Sequence, residues 1–543
     1  GHLTLVEGLN QLKPLILAEL GADKGRAVVT YLQFAIDKGV DYNSRQTRWE
    51  YTRGIIKGNF GRHDFSLKWT FGEMIFTGPN SGAPWALSQI VEAYQGMAAL
   101  LSPLNQRVEK GLELPLVILN RTAAHLPEIP ERSVDLVCMD PPYYNNVQYS
   151  ELSDYFYVWQ KRTLGDLYPG MFGRRLTNKK NEAVANPVRD GSDVAANQAY
   201  ERMMAEIFQE SRRVLRDDGL MTLMFTHKKQ EAWETLTRSL IESGWIITAC
   251  FPVESEAAES MHQKNMAAAA SSIFISCRKR ERQADFPALW TGLGGQGVQT
   301  QIRRAVEAGL GEFKPLKLNP VDEMVACYGR ALRVLSEQWP VLDGDEPVGP
   351  LRAMNEASRV VAENHIRRLT RERLSVDDLD PESAMALTLF GIWGLNEFSY
   401  DEALNLSKSL NIALVGKPSG YRVEGRMIGI NQQGPGRRSR GADAETVGFH
   451  APLLRKGSKL RLARPEERSP QRLAHPQTEW DIMQGVLVSF REGDVPVARA
   501  YLEQKARDHQ EKILDLLRVW AAEVDEPDLQ KEAASLLFGL GLS

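Results

Sequence analysis

Apolar and polar positions change their rhythm near residue 280. Before it, short apolar runs alternate with segments of helical period, and after it helical period dominates. Two early runs, Leu116–Asn120 and Val134–Met139, predict strands, the second a buried parallel one opened by a turn over Glu128–Ser133. An amphipathic helix is predicted from about Ala199 to Leu215, then a turn Arg216–Gly219 and a strand Leu220–Thr226. A further helix, Gln230–Ser243, leads through Gly244 to strands Trp245–Phe251 and Ser271–Cys277. The order β-α-β-α-β-β is that of the carboxyl half of a doubly wound sheet ending in an antiparallel pair.

Beyond Arg280, a polar stretch and a loop-like Phe286–Gln301 precede helices over Asp322–Gln338, Leu351–Leu374, Pro381–Phe398 and Asp401–Leu410. The carboxyl end adds helices over Trp480–Arg491, Val495–Val519 and Leu529–Leu540. At 543 residues the chain is long enough for two or more domains. Four unclustered cysteines, Cys138, Cys250, Cys277 and Cys327, read as small buried residues of a reducing compartment, and form no zinc site. No signal peptide and no spanning apolar run are present, so a cytoplasmic protein without a membrane partner is expected. The net charge of -4 supplies no global attraction for nucleic acid.

The sharpest chemistry is Asp140-Pro141-Pro142-Tyr143, at the end of an apolar run. An exocyclic amine is a poor nucleophile because its lone pair is delocalised into the ring. A carboxylate and a backbone carbonyl that accept its two hydrogens let the nitrogen pyramidalise, and Asp140 and the Pro141 carbonyl are such a pair. Pro141 and Pro142 stiffen the loop at the carboxyl end of the sheet, where open α/β folds bind ligands. Tyr143 offers a ring for stacking on a base, which on a duplex implies flipping at a cost of a few kcal/mol. A plain turn after a strand is the competing reading of the four residues alone.

The longer run Asp140–Trp159, the segment Arg213–Gly219, the stretch Thr226–Leu236 and an earlier block, Asn43–Trp49 with Trp69–Phe76, together resemble the large adenine-specific DNA methylases of the zinc-ribbon, anti-phage-associated type. The resemblance covers about Asp41 to Arg280. It implies an α/β fold: a Rossmann-like class I methyltransferase sheet, not necessarily complete in its N-terminal half, followed by a mainly α-helical region. It also implies S-adenosyl-L-methionine as cofactor and DNA, double-stranded with a flipped base, as substrate. Asn120, Thr122 and Asp140 fall where the donor would be contacted. Two family features have no counterpart: the zinc ribbon, and a glycine-rich loop after a first strand. Neither Asn59–Arg62 nor Phe71–Glu73 follows an apolar strand, and Gly292–Gly297 reads as a domain linker. With Gly1-His2 in place of an initiator Met, the chain is read as the carboxyl-terminal portion of a longer frame.

Around the motif, Asn145, Asn146, Tyr149 and Asp154 are expected to shape the base pocket, while Tyr155, Phe156, Tyr157 and Trp159 are expected to pack a helix onto the sheet as core. His227 and Lys228, with Lys229, follow a strand on the Asp140 side and are candidates for base or phosphate, as is a plain helix opening. Glu73 and Trp69 carry no assignable role. The group Arg174, Arg175, Lys179 and Lys180 reads as a strand-positioning patch. From Arg422 to His475 twelve basic residues face five acids in a Gly- and Pro-rich segment, either a phosphate-following loop or an ordinary solvated one.

The expected divisions are residues 1–100, 101–282, 283–420, 421–475 and 476–543. The expected activity is DNA adenine-N6 methylation in a restriction or anti-phage setting, by direct transfer with no covalent intermediate. A non-catalytic DNA-binding or scaffolding subunit of a defence complex, with partner subunits, and an RNA amino-methyltransferase are the alternatives.

Overall fold

The structure, a computed structural model, describes residues 1–52, 54–60, 67, 69–78, 82–112, 116–225, 230–254, 271–281, 286–316, 318, 320–400, 403, 406–407, 428–429, 451–456 and 459–542. The described chain is mixed α/β and largely helical, with small open sheets. It divides into two units: Gly1–Leu126 with Pro142–Met203, and Pro127–Pro141 with Met204–Ser543.

The first unit is helical. Helix α1, His2–Tyr42, changes direction at Gly21, whose φ of 77° is a left-handed value that glycine adopts at little cost. A hairpin, β1 (Arg48–Glu50) and β2 (Ile55–Lys57), precedes α2, Ala83–Glu109. Helix α3, Tyr149–Leu164, begins two residues after Val147 of the motif loop. It carries Glu151 in its first turn and Lys161 and Arg162 in its last, the charge order that complements a helix dipole. Val6, Leu9, Val29, Ile36 and Val40 of α1 pack with Tyr157 and Leu164 of α3 and with Phe172 in one core. Tyr157 is thus core, but in a core with α1 rather than against the sheet; Tyr155, Phe156 and Trp159 are half-buried.

The predicted strand at Leu116–Asn120 is not there. The run pairs with no strand among the described residues, and Val117 and Ile118 are 77% and 86% exposed. An apolar run becomes a strand only where a neighbour satisfies its backbone, and this one has none.

In the second unit, β3 (Val134–Met139), β4 (Leu215–Phe225), β5 (Trp245–Glu254) and β6 (Ser271–Lys279) form a sheet in the order β3-β4-β6-β5. β3 and β4 are parallel, whereas β6 lies antiparallel to both β4 and β5. Along β4 the fully buried Met221, Leu223 and Phe225 alternate with half-buried residues, the two-residue period of a pleated strand. The predicted turn Arg216–Gly219 is absorbed within β4: Leu215 stands opposite Val134, but Leu220 stands opposite Leu136.

One expectation about β3 is reversed. It is an outer strand rather than a buried one, so Leu136 is 51% exposed and Cys138 is exposed, while Cys250, Cys277 and Cys327 are buried as predicted. The other outer strand, β5, is lined by the helix Pro320–Glu337, where the Ile247 N–H donates to Ser336 Oγ across 3.0 Å. Contact is close: a side chain at Gly329 would meet the backbone of Cys250 at 2.7 Å.

Gly292–Gly297 does open a helix, Val298–Phe313, contrary to the linker reading. It follows a two-residue strand, Ala288–Leu289, of a separate small sheet. Farther on, Pro350–Leu369, Pro381–Trp393, Glu479–Ala506, Gln510–Glu523 and Pro527–Gly539 are helices around a second core. Phe390 stacks on Trp520 there at 4.9 Å and 10° between planes. The 381–393 helix is buried almost all round, hence its unbroken apolar sequence. No helix among the described residues is long and apolar enough to cross a membrane.

Candidate functional site

The chain passes from the second unit to the first between Pro141 and Pro142. On the strand side, the Arg132 and Ser133 N–H groups donate to Arg213 and Val214 carbonyls at 3.0 and 2.9 Å, aligning the start of β3 with β4. At its other end Asp140 is exposed, and among the described residues its carboxylate has no hydrogen bond and no ion pair. Pro141 is buried, and its carbonyl accepts no hydrogen bond among the described residues.

The next carbonyl is fully used. Pro142 O accepts from the Tyr144 N–H at 2.9 Å and from the Tyr200 hydroxyl at 2.9 Å. Tyr144 has φ 57°, a left-handed value costing a non-glycine residue about 1 kcal/mol or more. Its surroundings hold it there: it is buried, its hydroxyl bonds Asn197, its carbonyl accepts the Ala185 N–H at 3.0 Å, and its ring meets that of Tyr200 edge-on at 5.4 Å. Burial also pushes the Tyr200 phenol well above its ordinary pKa, so it stays a donor. Tyr143 is half-buried and its carbonyl accepts the Asn146 N–H at 3.0 Å.

A second loop braces the first. Glu182 accepts from the Ser150 N–H at 2.8 Å and from its hydroxyl at 2.5 Å, at the start of α3. Arg189 donates to the carbonyls of Lys179, Glu182 and Val184 and pairs with Asp190 at 2.8 Å. Asn186 caps the single turn Pro187–Asp190 and donates to Gln148 at 2.9 Å.

Asp154 does something other than shape a base pocket. It accepts from the Thr177 N–H and hydroxyl and from Lys179 at 2.6 Å, tying the 174–180 segment to α3. Burial would raise its pKa, but the bonds from Lys179 and Thr177 outweigh that and lower it. Lys179 is therefore engaged, whereas Arg174 and Arg175 are exposed with no carboxylate paired to them among the described residues. Asn145, Asn146 and Tyr149 are exposed. His227, Lys228 and Lys229 lie outside the described residues.

The donor side is weaker. Asn120 and Thr122 are exposed on a stretch that pairs with no strand among the described residues, and Thr122 accepts the Ala124 N–H at its hydroxyl across 3.3 Å and the His125 N–H at its carbonyl across 3.2 Å. The described residues thus bring no cradle for S-adenosyl-L-methionine together at Asn120 and Thr122. No cluster of metal-ligating side chains occurs among them either.

The basic segment is largely spoken for where it is described. Arg461 pairs with Glu467, Arg464 with Glu526, Lys459 with Glu397, and Arg468 and Arg472 share Asp481. These cations are paired with the protein's own carboxylates, which favours the reading of an ordinary loop for them. Arg422, Arg426, Arg437, Arg438 and Arg440 lie outside the described residues.

Sequence reasoning missed Tyr144, Asn197, Tyr200, Glu182 and Arg189. A doubled tyrosine after two prolines hinted at the first; nothing local marks the others. No family model matches the chain, and no curated protein or solved structure does.

Proposed function

We propose that this chain carries the amine-orienting half of a DNA adenine-N6 methyltransferase that uses S-adenosyl-L-methionine. The carrying observation is that the Asp140 carboxylate and the Pro141 carbonyl are unengaged among the described residues while the following carbonyl is doubly bonded. Two fixed acceptors at a strand end suit the two hydrogens of an amine. By drawing them into the plane of the acceptors, they turn the nitrogen lone pair outward. Tyr143 stacks on the base. The order β3-β4-β6-β5, with an antiparallel β6, supports reading the sheet as the carboxyl half of a Rossmann-like class I sheet.

One observation favours the second reading, a non-catalytic DNA-binding or scaffolding subunit: Asn120 and Thr122 lie on an exposed stretch that pairs with no strand among the described residues. Methylome sequencing of DNA from cells expressing the full-length gene, beside cells carrying Asp140→Ala, separates the two. Adenine methylation at a defined sequence, lost in the variant, is the expected result. Its absence in both overturns methylation of DNA. Methyl label entering RNA alone would move the substrate.

A further inference from the structure

A cavity of about 570 Å³ in the first unit lies between α1, α3 and the segment 171–177. Asp37 reaches it from α1, and Phe156, Tyr157, Gln160, Met171 and Phe172 form most of the rest of its wall. We propose that this cavity binds a small organic cation, a primary or methylated ammonium, with Asp37 as counter-charge and the aromatic side chains as its wall.

Asp37 is 8% exposed. Each carboxylate oxygen accepts one bond from an amide, Gln33 at 2.8 Å and Gln160 at 2.7 Å, and no cation pairs with it among the described residues. A carboxylate has about four acceptor positions, so about half its capacity remains. A buried anion without a counter-charge is costly, and an entering ammonium would remove that cost. Burial raises the Asp37 pKa to about 6, with the bonds from Gln160 and Gln33 working against it. At neutral pH the group is still largely ionised.

The wall suits the same ligand. Tyr157 and Phe172 are packed together at 5.2 Å between ring centres, and the Tyr157 hydroxyl is occupied by the Arg174 carbonyl at 2.9 Å. Their rings therefore offer π-electron density rather than a polar tip, which attracts cations and above all methylated ammonium groups. The volume falls within the range of small-molecule sites. The methyltransferase reading is not needed for any of this.

Calorimetric titration of the full chain with choline and with butylammonium, each against the uncharged isostere with carbon or hydroxyl in place of nitrogen, tests it. The cation should bind about ten-fold more tightly than its isostere, a difference the carboxylate and rings together can supply. Asp37→Asn should erase that preference, while Phe156→Ala should weaken the methylated cation. Equal or undetectable binding of both members of each pair to the wild type overturns the proposal, as does a folded Asp37→Asn that keeps the preference. Should Asp37→Asn not fold, the wild-type comparison decides alone.

Discussion

The hydroxyl of Tyr200 donates to the carbonyl of Pro142 across 2.9 Å, tying the motif loop to a helix 58 residues farther along the chain. Tyr200→Phe removes that single bond and keeps the ring contact with Tyr144. A loss of about 1 kcal/mol in equilibrium unfolding is expected, the usual net worth of one hydrogen bond. If the loop presents the amine acceptors, methyl transfer should fall with it; unchanged transfer would leave Tyr200 a purely structural residue.

Asp140→Ala should cost no more than about 0.5 kcal/mol, because the side chain is exposed and makes no polar contact among the described residues. The same change should abolish methylation. A variant that melts early would show that the carboxylate has a structural partner. Tyr143→Ala is expected to weaken base binding by ~1–3 kcal/mol, read from the affinity for DNA carrying a mismatched target base.

Removing Arg468 should do far more. Arg468 and Asp481 are 0% and 1% exposed, and Gln484 bonds the same guanidinium. Arg468→Ala leaves the Asp481 carboxylate buried with Arg472 as its remaining cation, at a cost of about 3 kcal/mol in urea unfolding. Added salt should barely change that figure, since water and ions do not reach the pair. A loss under about 1 kcal/mol would remove the pair from the list of determinants.

Asp37 makes stability depend on pH. Its native pKa of about 6 lies above the ordinary 3.8, so the folded protein holds the proton more tightly. The resulting stabilisation is complete below the ordinary value and is lost as pH rises through about 6. Asp37→Asn should therefore gain on the wild type by up to about 3 kcal/mol near pH 8, and the gap should close towards about pH 4. Urea midpoints at the two pH values check this; a gap that widens on acidification rejects it.

Thiol chemistry follows burial. Cys138 is exposed, whereas burial pushes Cys250 and Cys327 up to about 12 and Cys277 well above its ordinary value. Titration of the native protein with a disulfide reagent should show one fast thiol, absent in Cys138→Ser. Several fast thiols would mean that the sheet opens readily.

Much of the second unit could be read from period alone. Trp245, Ile247, Ile273 and Ile275 alternate inward as a pleated strand requires, and the helices from Pro320 to Leu369 follow their apolar stripes. The failures share one cause. Whether Leu116–Asn120 pairs, and whether Cys138 is covered, depends on which strand lies alongside, and no apolar run encodes its neighbour. Arg464 meets its carboxylate 62 residues away and Tyr200 its carbonyl 58 away, so neither the silenced cations nor the brace on the motif loop is visible in local spacing. Asp140-Pro141-Pro142-Tyr143 was legible because its chemistry is contiguous.

Each unit is assembled from two separate lengths of chain. A fragment that starts after Leu126 still carries Tyr157, Leu164 and Phe172, but it leaves behind Val6, Leu9, Val29 and Ile36, on which they pack. Trimming from the amino end would thus expose an oily surface in the middle of what remains.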